Sequence, residues 1–190
     1  MSYDSSGRAY SAIFSLSKDG TTNTSFSGDG VLKGDPIAGL SASNCLGLGF
    51  NSLNQLIAVS NIQKQGFTTY GLAVQVIDRS GYQLSASELS MPSGVSVYYP
   101  HPVNTSPLAS EQGNGFVFAF IGILSSGETD IFVSKLNDDG SLDKSFCDNG
   151  FYQISAPGNQ FDPCISVEKN GSILVAYRDD ATTSITSLLL

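Results

Sequence analysis

A chain of 190 residues with 41% hydrophobic side chains and a mean hydropathy of +0.03 has enough apolar material for a packed core, which excludes a disordered polymer. Nine Lys and Arg against 17 Asp and Glu give a net charge of −8 and a pI near 4.3, with no basic cluster. Nucleic acid and anionic membrane surfaces are therefore excluded as partners, and no apolar run approaches the roughly 20 residues of a membrane helix.

In chain order, the first predicted strand covers residues 9–16. It runs into a Lys18-Asp19-Gly20 turn and a short strand at 31–32. A moderately apolar strand at 45–50, an Asn54 turn and an apolar strand at 56–59 follow. After the polar loop "NIQKQGFTT" come strands at 71–77 and 95–99. The same order then returns, with strands at 108–110, 116–121, 131–136 and 151–154. It begins once more with 164–167, 173–176 and 185–190. Asn54, Asn114 and Asn170 each precede the second strand, at spacings of 60 and 56. An Asn-Gly pair there predicts a type I′ hairpin turn, in which both residues take positive φ. No stretch carries a 3.6-residue period, so helix is not expected.

One phrase is written twice. "SLSKDGTTNTSFSGDGVL" (15–32) and "KLNDDGSLDKSFCDNGFY" (135–152) align without a gap at an offset of 120, with six of 18 positions identical. A drifted middle copy, "AVQVIDRSG", places Gly81 about halfway between Gly20 and Gly140. The unit is thus about 60 residues and four strands long. The expectation is an all-β fold of repeated four-stranded antiparallel units, β-propeller-like, with about three blades. A β-sandwich is the alternative. The units fall at about 1–34 (partial), 35–99, 100–155 and 156–190 (partial), within a single repeat domain over 1–190. Three blades leave open sheet edges, which invite a protein partner or self-association.

The phrase at 135–150 resembles the signature of the delta-60 repeat of bacterial proteins, R-x-N-x-D-G-S-L-D-x-S-F-G-x-x-G. Asn137, Asp139, Gly140, Ser141, Leu142, Asp143, Ser145, Phe146 and Gly150 match it; Lys135 replaces Arg and Cys147 replaces Gly. The first copy matches at Asp19, Gly20, Ser25, Phe26 and Gly30. The resemblance implies a propeller-like scaffold within a larger bacterial surface or secreted protein. It implies no particular activity. The N-terminal "MSYDSSGRAYSAIF" lacks the regions of a signal peptide, which keeps a cytoplasmic setting open.

The repeated residues read first as architecture. Asp19, Gly20, Asp139 and Gly140 build a turn in which a carboxylate caps backbone N–H groups and glycine supplies positive φ. Phe26 and Phe146 plug the core between blades, and Gly30 and Gly150 end the phrase. A cation such as Ca²⁺ is a lesser reading of Asn137, Asp139 and Asp143, because hard cations take clustered oxygens; no EF-hand spacing is present. The turn also resembles the sialidase Asp-box, S-x-D-x-G-x-T-W, although it is one residue short and the chain has no Trp. Such chemistry uses an Arg triad, and the three arginines here are Arg8, Arg79 and Arg178. His101 is the only histidine, which excludes multi-His zinc sites. Cys45 and Cys164 read as equivalent buried strand positions, and Cys147 as the exposed thiol to test for reactivity. No catalytic set emerges and no cofactor is expected. The leading expectation is a non-catalytic structural and interaction module. A carbohydrate-active or carbohydrate-binding propeller and a Ca²⁺-stabilised adhesin segment are the alternatives.

Overall fold

The computed structural model describes residues 2–3, 9–34, 37, 40–64, 70–97, 104–107, 116–180 and 184–189. The fold is all-β, and every pairing between neighbouring strands is antiparallel. Among the described residues there is no helix and no closed barrel, and hence no helix long and apolar enough to cross a membrane.

The strands form four successive meanders. The first joins β1 (Ser2–Tyr3), β2 (Ala9–Phe14) and β3 (Val31–Gly34). The second joins β4 (Leu40–Phe50), β5 (Leu56–Lys64), β6 (Tyr70–Ile77) and β7 (Gln83–Glu88), paired in chain order. A two-residue strand, β8 (Ser96–Val97), links β6 to the third meander. That meander is β9 (Asn104–Pro107), β10 (Phe116–Ile123), β11 (Thr129–Leu136) and β12 (Phe151–Ile154). The fourth is β13 (Gln160–Val167), β14 (Ile173–Asp179) and β15 (Ser184–Leu189).

Burial follows from position in the stack. Strands β10 and β11 are buried on both faces; β10 reads as a continuous apolar run, while β11 also buries Thr129, Asp130 and Ser134. Strands β13 and β14 alternate buried and outward residues, as strands with one covered face do. Three apolar clusters lie between successive meanders. Ile13 and Phe26 meet Ala58 and Ile77. Ile57, Val59, Val74 and Val76 meet Phe116, Phe118 and Leu136. Val117, Ala119 and Ile121 meet Ile165, Val175 and Tyr177. Gly49 fits the middle cluster for want of a side chain, since a Cβ there would stand 2.1 Å from the Phe116 ring.

Among the described residues, one five-residue turn is used six times, at 17–21, 51–55, 78–82, 124–128, 137–141 and 168–172. In each, the fourth residue's N–H donates to the first carbonyl and the first residue's N–H donates to the fifth carbonyl, at 2.8–3.0 Å. The fourth residue always has positive φ; it is glycine in five cases and Asn54, at 61°, in the sixth. This is a three-residue hairpin loop closed by a left-handed residue. It corrects the type I′ expectation at Asn170-Gly171: Gly171 alone has positive φ, and Asn170 instead accepts the Ser172 N–H at 2.9 Å. The structural counterpart of Asn54 is therefore Gly171, 117 residues on, and not Asn170.

Two further expectations are corrected. The expected strand at 95–99 is present as the two-residue β8, which meets β6 only at Tyr70, but the strand that runs along β6 is β7, directly after the turn. The middle copy lacks the Ser-Phe excursion, so the chain folds straight back into a hairpin; β7 is almost wholly exposed and carries no apolar run that would mark it as a strand. Cys164 is exposed rather than buried. Its register partner is Ala176, and the matching pair in the second meander is Gly47 with Val59, so Cys45 is not its equivalent. The side chain of Cys45, the expected strand at 108–110, Asn114, Arg8 and His101 lie outside the described residues.

Candidate interaction site

The twice-written phrase folds the same way twice. Asn23 and Asp143 donate their N–H groups to the carbonyls of Ser15 and Lys135, both at 2.9 Å. Phe26 and Phe146 donate to Asn23 and Asp143 at 3.0 Å. Gly30 and Gly150, at φ 83° and 96°, donate to Phe26 and Phe146 at 2.7 and 2.8 Å. Ser27 and Cys147 occupy the same left-handed position, at 53° and 46°. Phe26 is buried against Ala58 and Ile77 of the next meander, and Phe146 packs on the cluster it shares with Ile165 and Val175.

The acidic residues are held by their own turns. Asp139 Oδ1 accepts the Ser141 N–H at 2.9 Å and its hydroxyl at 2.6 Å. Asp19 does the same with Thr21, at 3.1 and 2.7 Å. Asp143 Oδ1 accepts the Ser145 N–H and hydroxyl at 3.0 and 2.5 Å, and its Oδ2 meets Lys135 Nζ at 2.9 Å. In the first copy Asn23 replaces this ion pair with a neutral bond to Ser15 at 3.0 Å. Asn137 Nδ2 donates to the Ser141 hydroxyl at 3.0 Å. The hydroxyl bonds first, then the backbone N–H bonds, hold the Asp19 and Asp139 carboxyls below the usual range. For Asp143 the Ser145 hydroxyl leads and Lys135 follows. Asp139 and Asp143 thus cap their own turns through Oδ1, and Asn137 braces the same turn as a donor to Ser141. Among the described residues, no group of three His, Cys, Asp or Glu is placed to hold a metal ion.

The other candidates separate. Arg178 is committed to Asp162 at 3.0 Å and lies 4.8 Å over the Phe161 ring. The Cys147 thiol is exposed, but partial burial pushes its pKa up, which opposes reactivity.

The structure adds a surface that reading the sequence missed. Phe14 and Leu16 on one side, and Leu48 and Phe50 on the other, border an open groove of about 640 Å³ beside Phe26 and Arg79. These four apolar side chains are 66%, 64%, 46% and 57% exposed. A signal was present: at the 120-residue offset Phe14 replaces Ser134, an unforced gain of an aromatic. A second cleft, of about 410 Å³, has Phe132 and Phe151 in its wall beside Lys144, Asp148 and Gln153. Neither hollow brings two carboxylates together. No protein-family model matches the chain, and no curated protein does.

Proposed function

We propose that the chain is a non-catalytic structural and interaction module, built of propeller-like units akin to the delta-60 repeat and working within a larger bacterial surface or secreted assembly. The observation that carries this reading is the apolar groove of Phe14, Leu16, Leu48 and Phe50. Contiguous exposed apolar surface marks a site of contact with a protein, a membrane or a ligand. Asp19, Asp139 and Asp143 of the repeated phrase cap their own turns, which gives those three a structural task. The test is a turnover screen of the purified chain on chromogenic glycosides and fluorogenic peptides. The expected result is no activity above background. Turnover that disappears on Asp148→Asn, the carboxylate in the polar cleft, would overturn the reading in favour of a carbohydrate-active or hydrolytic enzyme.

A further inference from the structure

Asn-Gly pairs stand at 149–150 and 170–171 among the described residues. Such a pair carries a reaction of its own. The glycine nitrogen, unhindered for want of a neighbouring Cβ, attacks the asparagine side-chain Cγ. The new bond closes a cyclic imide, the Cγ–Nδ2 bond breaks, and the side-chain nitrogen leaves as ammonia with the proton from the glycine N–H. Water then opens the imide at one carbonyl or the other, which leaves aspartate or isoaspartate.

The two pairs sit in opposite settings. Asn170 is exposed in the turn 168–172, at the tip of the β13–β14 hairpin. Its Oδ1 accepts the Ser172 N–H at 2.9 Å, so a donor already faces the oxygen that gathers negative charge when Cγ is attacked. Gly171 has open space, since a Cβ there would meet nothing within 4 Å. Its N–H donates to the Glu168 carbonyl at 2.9 Å, and an exposed hairpin tip opens at low cost to release such a bond. Gly150 is buried instead. A Cβ there would stand 2.5 Å from Leu142, its carbonyl accepts the Ser134 hydroxyl at 2.7 Å, and its N–H donates to Phe146 at 2.8 Å. Asn149 meets Asp148 through Nδ2, at 3.2 Å, and not through Oδ1.

We propose that Asn170 is a self-modification site of the folded chain, converting through a cyclic imide with Gly171, and that the fold protects Asn149 from the same reaction. The proposal is independent of the module reading above. The aspartate product leaves the tripeptide that Asp139, Gly140 and Ser141 already form at the same place in their own turn, where Asp139 Oδ1 accepts the Ser141 N–H at 2.9 Å. The turn therefore accepts that product, with one more negative charge at its tip. Isoaspartate instead adds a methylene to the main chain between β13 and β14, which spoils the Glu168–Ser172 closure, now 2.8 Å.

Peptide mapping tests this. The full chain is held at mildly alkaline pH, native in one sample and unfolded in urea in another. Both are then digested with pepsin in acid, which adds little conversion during work-up, and read by mass spectrometry. In the native sample the Asn170 amide should be lost to both acid products while Asn149 stays intact. In urea both residues should convert. A native Asn170 that keeps its amide, or a native Asn149 that converts as fast, overturns the proposal. So does an Asn149 that stays intact in urea, because its protection would then not come from the fold.

Discussion

Cys147 holds a left-handed backbone at φ 46° without the freedom of glycine, as does Ser27 in the first copy. A side chain there costs about 1–2 kcal/mol, against a smaller entropic cost of having glycine in the unfolded chain. Cys147→Gly should therefore stabilise the protein by about 0.5–1 kcal/mol and raise Tm by about 2 °C in calorimetry. The capping carboxylates set the pH response. Asp19, Asp78, Asp139, Asp143 and Asp180 all have pKa values lowered in the folded state. A lowered folded pKa contributes stability that is complete above the unfolded value, about 3.9, and is lost as pH falls through the folded values. Urea midpoints should thus hold steady from neutral pH to about pH 5 and then fall. Asp139→Asn with Asp143→Asn should flatten that acid limb. The amide retains the Oδ1 acceptor, as Asn23 shows with Ser25, so the turns themselves should survive.

At the scale of elements, Phe26 and Phe146 answer to one letter of the repeated phrase but not to one energy. Phe26 is 5% exposed within its cluster, while Phe146 is only partly buried at the edge of its own. Phe26→Ala should cost about 3 kcal/mol and Phe146→Ala about 1–2 kcal/mol, read from denaturant unfolding. Equal losses would mean that the two plugs are buried alike. The strands legible in the sequence were those whose own composition declares burial: β10 is apolar throughout, β5, β6 and β11 each carry an apolar run, and β2, β12, β13 and β14 adjoin clear turn signals. β7 was not legible, because its place comes from its pairing with β6 and its side chains face water. The turn geometry was half legible: Gly20, Gly81 and Gly140 marked the bends, but only the register of the flanking strands fixes a five-residue loop over a tighter one. The groove escaped because within its own strand Phe14 reads like a core residue; only comparison with Ser134, at the 120-residue offset, sets it apart.

For the whole molecule, burial on one face or two has a consequence for how it comes apart. Strands β5, β6, β10 and β11 are clamped between neighbours, whereas β13 and β14 are covered on a single side. Backbone amides in 56–62, 71–77 and 116–136 should then exchange with deuterated solvent only through the costliest opening, and those in 160–179 through a cheaper, partial one. Mass spectrometry of exchange resolves the difference by peptide; uniform protection would mean that the chain opens only as a whole. A molecule so graded loosens from its singly covered sheets first and from its inner strands last.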